Sequence, residues 1–259
     1  MTDSDGPADV PIRDAATVVL LRDGVDGVEA WLLTRVVQMA FAAGMTVFPG
    51  GRVDPADAAL PLAGGDVANL AARFGCDEPT ARALLGAAVR ETFEETGVLL
   101  SVPPADLSGA RADVEGGLVS FGDLLRTNGL AIDANALHPW SRWVTPAGEA
   151  RRYDTRFFVG ALPEAAVAQD VTSESSAATW VPVSVAIEEA QRGERKVLPP
   201  TMATLASLAQ FGTVAEVLAS SGGRRLDPVR PQVRLGDDGS VSVELPDGSL
   251  VPIPPGMFQ

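Results

Sequence analysis

The chain has 259 residues, enough for one enlarged domain or one domain with appendages, and the composition of a globular protein rich in Ala, Gly and Pro. Its formal net charge of −14 argues against a nucleic-acid-binding surface, which needs a basic stripe, so an anionic ligand would have to be met by bound cations and a local arginine cluster. One cysteine, Cys76, and one histidine, His138, exclude a disulfide framework and any multi-cysteine or multi-histidine metal site. In chain order, residues 1–13 read as a loose acidic leader, and the apolar run at 15–21 reads as a strand. Asp23-Gly24 and Asp26-Gly27 mark a turn into a second strand over 28–35, and a mixed stretch at 41–48 leads into the breaker-rich Phe48-Pro49-Gly50-Gly51. Residues 58–78 read as an insertion, in which Asp66 caps a short helix over 67–74 and Gly75 ends it. Asp77 and Pro79 then start a longer helix, with Leu84, Leu85, Ala88, Val89 and Phe93 on its apolar face.

Further on, 120–128 is a predicted helix, and 137–144 and 152–161 are predicted strands. A short strand at 180–183 precedes a helix capped by Ser184 and ended by Gly193. Two more helices, 201–210 and 213–220, follow Pro199-Pro200. The main domain is expected over 14–221. In the tail, 222–259, three short apolar runs separated by Asp238-Gly239 and Asp247-Gly248 predict a β meander. No apolar run is long enough to span a membrane. The first residues lack a secretory pattern, and Gly256-Met257-Phe258-Gln259 is not a peroxisomal address, so a cytoplasmic location is expected.

The densest chemistry lies in Arg90-Glu91-Thr92-Phe93-Glu94-Glu95-Thr96-Gly97-Val98. Helical spacing puts Glu91, Glu94 and Glu95 on one face, apart from the apolar one, and lets Arg90 reach Glu94. Three carboxylates so close repel one another unless positive charge lies between them. Arg90 supplies one charge, and a hard divalent cation with a preference for oxygen would supply the rest.

This run resembles the second half of the Nudix hydrolase signature, Arg-Glu-U-x-Glu-Glu-x-Gly-U, where U is aliphatic; Thr92 stands at an aliphatic position. The first half, Gly-x5-Glu-x7, is altered. Gly51 fits the glycine and Asp57 takes the glutamate position, but 32 residues, 58–89, separate Asp57 from Arg90 where seven are usual. Asp57, Glu78 in the insertion, Asp54, or none of these stands in for the missing glutamate. An interrupted box of this kind is similar to that of Nudix enzymes related to peroxisomal coenzyme A diphosphatases. Arg35, Gly44 nine residues later, and Phe48-Pro49-Gly50-Gly51 reproduce the spacing of the segment preceding the box in coenzyme A-type members, although a basic residue common within it is absent at Met39-Ala40-Phe41.

The resemblance implies an α/β protein with the Nudix fold: an α/β/α sandwich with a mixed β-sheet, an insertion within the box, and here a β-rich C-terminal tail. It implies metal-dependent hydrolysis of a diphosphate with Mg²⁺ or Mn²⁺ held by Glu91, Glu94 and Glu95. Arg90 would hold the carboxylates, and Glu91 would bind metal or orient water. Glu174, six residues before Trp180, is the candidate further ligand or general base. Arg35, Gly50, Gly51, Arg152 and Arg156 are the substrate-binding candidates, with Arg151 beside them. Trp140 and Trp143 are expected in the core. Coenzyme A or an acyl derivative is the first-choice substrate, with ADP-ribose, a dinucleotide or a nucleotide as the alternative, and a non-catalytic ligand-binding module as the competing class. The partner is a small molecule, neither nucleic acid nor membrane, and the family allows a homodimer.

Overall fold

Two long apolar strands, β1 (Ile12–Gly24) and β2 (Gly27–Arg35), form a hairpin through the predicted turn. The computed structural model describes residues 10–35, 44–147, 149–169, 175–236, 241–244 and 250–252. β1 starts inside the expected leader, because Ile12 already pairs with Arg152. After the hairpin come β3 (Thr46–Val47), β4 (Gly50–Arg52), a 3-10 turn (Pro55–Ala59) and β5 (Leu62–Ala63). Two helices follow, α1 (Val67–Phe74) and α2 (Glu78–Thr96). Asp66 and Asp77 cap them as their positions predict, each side chain accepting a backbone N–H three residues on. Both end on glycine in the left-handed region, Gly75 and Gly97.

The chain continues through β6 (Ser101–Val102), α3 (Arg111–Glu115), α4 (Phe121–Thr127) and β7 (Ala131–Asp133). Then come β8 (His138–Val144), β9 (Arg152–Ala161) and β10 (Ser175–Pro182). The helices α5 (Val183–Gln191), α6 (Pro199–Leu208) and α7 (Val214–Ser220) follow. Two starts differ from expectation. Ser184 lies inside α5 and caps nothing, and Pro199-Pro200 form the first turn of α6, where a missing N–H costs nothing. In the tail, β11 (Gln232–Leu235), β12 (Val241–Glu244) and β13 (Leu250–Pro252) pair antiparallel, the expected meander.

The main sheet runs β10-β2-β1-β9-β8, with β3 on β2 and β4 on β1. β1 and β9 are parallel and the other pairs antiparallel, so the sheet is mixed. β1 and β2 pair only near their turn. Farther out they diverge, and β3 joins β2 at Leu33 and Thr34 while β4 joins β1 at residues 15–17. The loop between β3 and β4 is thereby carried into the gap, at the centre of the sheet.

Strand alternation supplies both faces with core. Ala16, Val18, Leu20, Trp31 and Leu33 pack with α1, α2 and α4, and Val19, Leu21, Leu32, Phe48 and Phe157 pack with α5, α6 and α7. The result is the expected α/β/α sandwich. Trp140 and Trp143 belong to the second core, with the Trp140 Nε1–H donating to Ser207 Oγ at 2.9 Å. In the insertion, α1 builds core too: Phe74 packs edge-on against Phe158, and Arg73 donates to the carbonyls of Ser221 and Arg224. A three-stranded sheet, β5-β7-β6, has no counterpart among the predicted elements, since strands of two or three residues carry no readable period. Nor does the chain leave the domain at residue 222. Leu226 is buried in the first core, Arg224 lies over the Trp140 ring at 3.6 Å, and Val229 exchanges hydrogen bonds with Arg142 and Val144.

Candidate active site

The last two turns of α2, strand β4 and the 3-10 turn after it meet around Arg90. Its Nε and Nη2 donate to the two oxygens of Asp57 at 2.8 and 3.0 Å, a bidentate fork. Nη1 donates to Glu91 at 2.8 Å and Glu94 at 3.3 Å, and Nη2 also donates to the Arg52 carbonyl at 3.0 Å. Glu95, on the same helix face, accepts the Gly50 N–H at 2.9 Å. One guanidinium thus gathers three carboxylates, and β4 takes the fourth.

The geometry separates the candidates for the missing glutamate. Glu78 is the first residue of α2, about 18 Å along the helix from Arg90, and stands apart from the cluster. Asp54 is half exposed, pairs with Arg52 at 3.0 Å and reaches Arg90 only at 4.0 Å. Asp57 is 2 % exposed, and both its oxygens are engaged, one of them also accepting the Asp54 N–H at 2.7 Å. It is the residue of the three that clamps Arg90. The 3-10 turn that presents it lies against Gly86, where an added Cβ would sit 2.4 Å from the Asp57 carbonyl oxygen.

Glycine at 50 and 51 has a steric cause. A Cβ on Gly51 would stand 2.5 Å from the Glu91 carboxylate, and one on Gly50 would stand 2.4 Å from the Ala16 carbonyl oxygen. Thr92 fits its aliphatic position: it is fully buried, and its hydroxyl donates to the Ala88 carbonyl at 2.7 Å. The Arg35-to-Gly44 spacing closes a loop, with Gly44 N–H donating to the Arg35 carbonyl and Arg35 N–H to that of Met45. Met39, Ala40 and Phe41 lie outside the described residues.

Burial works against charge here. It pushes the Glu94 carboxyl up to about 7; Arg90 opposes this and Glu91 adds to it. Burial also opposes the Arg90 charge, but the Asp57 hydrogen bond and the charges of Glu91, Asp57 and Glu94 outweigh it and hold the guanidinium above its ordinary range. Four carboxylates against one arginine leave excess negative charge, and an all-oxygen donor set suits a hard divalent cation. The residues present fit such an ion in charge and chemistry. Among the described residues no three acidic, histidine or cysteine groups already converge as a metal cage, because Arg90 and the Gly50 N–H hold the carboxylates individually.

The other predicted residues fall in different places. Arg35 ends β2, and its backbone partner is Ser175 at the start of β10; Glu174 itself lies outside the described residues. Arg152 opens β9, donating to the Thr145 carbonyl at 3.3 Å, and Arg151 beside it is exposed. The expected substrate contact at Arg156 needs correction. Its side chain is 3 % exposed and paired with Asp14 and Asp154, while Arg142 grips Asp154 from the other side at 2.9 and 2.6 Å. The register that sets Arg156 beside Ala16 turns it inward, where it ties β1, β8 and β9 together. Sequence reasoning also passed over Arg111, which donates to the Glu94 carbonyl at 2.8 Å and carries no local signal of that contact.

A family model described as the NUDT19 Nudix domain matches residues 68–208. The chain is 30% identical to an "Acyl-coenzyme A diphosphatase NUDT19" of Gallus gallus over 94% of this chain and 80% of that one. It is 30% identical to a "Putative nudix hydrolase 7" of Caenorhabditis elegans over 76% of this chain, and it spans 61% of that relative's length. Among solved structures, a NUDIX hydrolase from Alicyclobacillus acidocaldarius superposes with a TM-score of 0.69 at 30% identity, covering 82% of this chain and 97% of that one.

Proposed function

The chain belongs to the Nudix hydrolases, in the family of the NUDT19 Nudix domain, and from that premise we infer that it hydrolyses the diphosphate of coenzyme A or an acyl-coenzyme A. The observation that carries the reading is the Arg90 node, which holds Asp57, Glu91 and Glu94 on one guanidinium beside a Glu95 fixed by Gly50. The substrate class draws support from the relatives named acyl-coenzyme A diphosphatase and from the Arg35–Gly44–Gly51 spacing.

Glu91, Glu94 and Glu95 would hold Mg²⁺ or Mn²⁺, which when bound lowers the pKa of a water and neutralises phosphate oxygens. Arg90 keeps Glu91 and Glu94 in register with each other, and Asp57 keeps Arg90 in place. Gly50 and Gly51 let the β4 backbone approach the carboxylates closely, with Gly50 N–H holding Glu95. In hydrolysis the water oxygen bonds to one phosphorus, the bridging P–O bond breaks, and the water proton passes to a carboxylate. Glu91 and Glu174 are the candidates for that base. Arg35 and Arg152 are the candidate contacts for the phosphates.

Incubation with coenzyme A and Mg²⁺ or Mn²⁺ should release adenosine 3′,5′-bisphosphate and a phosphopantetheine. Glu94→Gln and Glu95→Gln should abolish that release while leaving the circular dichroism spectrum unchanged. A wild-type protein that cleaves ADP-ribose or a dinucleotide in preference to coenzyme A overturns the substrate class, and one that cleaves no diphosphate overturns the enzyme. Full activity in both glutamine variants overturns the site.

A further inference from the structure

The carboxyl-terminal turn of α2 carries Glu94 and Glu95, and its backbone carbonyls need partners from outside the helix. Gly97 N–H satisfies Phe93, and Gln169 N–H, from the loop after β9, satisfies Thr96 at 2.9 Å. The Glu94 carbonyl would ordinarily accept the Val98 N–H, but that group donates to Thr96 Oγ1 at 3.0 Å instead. Arg111 fills the place, its Nη1 donating to Glu94 O at 2.8 Å and to Glu115 Oε2 at 2.6 Å. Arg111 is 7 % exposed, and it comes from α3, a short helix between the box and β8.

We propose that Arg111 is a positioning residue for the metal site: by holding the Glu94 carbonyl it sets the last turn of α2, and with it the Glu94 and Glu95 carboxylates. This rests on reading α2 as the metal-binding helix. Glu115 offsets the charge of Arg111, so the effect acts through geometry, not through added positive charge near the site. Arg111 also terminates a helix dipole favourably, since a cation suits a helix C-terminus. Residues that orient ligands from behind commonly change metal affinity by about 10- to 100-fold when removed.

Mn²⁺ binding to the full chain, followed by the electron paramagnetic resonance of free Mn²⁺, tests this without relying on turnover. Arg111→Met should weaken Mn²⁺ binding about tenfold or more, Arg111→Lys should fall between it and wild type, and Arg126→Met, an exposed pair on α4, should leave binding unchanged. Saturating Mn²⁺ should restore most of the kcat of Arg111→Met, which general loosening of the fold would not allow. Should Arg111→Met fail to fold, Arg111→Lys decides: weakened Mn²⁺ binding supports the proposal, and wild-type affinity overturns it. Wild-type affinity in a folded Arg111→Met likewise overturns it. A wild-type chain that binds no Mn²⁺ overturns both this proposal and the metal-site reading beneath it, whereas normal wild-type binding with unaffected variants overturns this proposal alone.

Discussion

Asp57 and Arg90 lie 33 positions apart and form a two-bonded ion pair whose carboxylate is 2 % exposed. The 25-residue excess in the interrupted box, with α1 inside it, therefore loops out and returns without disturbing the contact between the acidic residue after Gly51 and the arginine that opens the glutamate run.

Breaking that pair should be expensive. Asp57→Asn leaves Arg90 its bonds to Glu91 and Glu94 but breaks the charge-assisted fork on a carboxylate that is 2 % exposed, and a hydrogen bond to a charged group is worth about 1.5–3 kcal/mol. Urea unfolding should show this loss, and diphosphatase activity should fall with it because Glu91 and Glu94 hang on the same arginine. A variant with wild-type stability would mean that the pair is replaceable.

Two glycines should respond in different ways to alanine. At Gly51 the new Cβ meets the mobile end of Glu91, so stability should barely change, while displacement of that carboxylate should cost about 100-fold in kcat/KM. At Gly86, inside α2, alanine would normally stabilise a helix by about 1 kcal/mol. Here its Cβ would lie 2.4 Å from the backbone oxygen of Asp57, and overpacking of about 1–3 kcal/mol should win, giving net destabilisation by thermal melting.

Stability of the metal-free protein should depend on Glu94. Burial raises its carboxyl from an ordinary 4.5 to about 7. The folded state then binds a proton that the unfolded state has released, so stability should fall as pH rises through that window and be highest below it. In EDTA, wild type should lose stability between pH 5 and pH 7.5, and Glu94→Gln should remove most of this slope. Parallel curves for the two proteins would rule out Glu94 as the source.

Truncation should separate the tail into two parts. A chain ending at residue 223 loses buried Leu226, the Arg224–Trp140 contact and the Val229 bridge, worth at least about 3 kcal/mol together. A chain ending at residue 231 keeps all three and should melt within about 2 °C of wild type. Equal melting of the two would show that residues 224–231 are not part of the domain.

Local signals were strong enough to be read directly from the chain. Asp66, Asp77, Gly75 and Gly97 act through bonds to neighbours three or four residues away, so the ends of α1 and α2 were legible before any fold was known. Apolar, β-rich runs, one of them set off by the Asp-Gly turn, did the same for β1, β2 and β9, and the glutamates of the box were placed on one helix face by spacing alone. What only the tertiary structure decided is every choice that depends on distant residues. It selected Asp57 over Asp54 and Glu78 as the partner of Arg90, turned Arg156 inward to Asp14 and Asp154, and kept residues 224–229 with the domain. It also brought Arg111 to the Glu94 carbonyl. An arginine looks the same in sequence whether it meets phosphate, a carboxylate or a helix end. Its partner is set by which strands and helices pack together, and that is a property of the whole chain, not of the residues beside it.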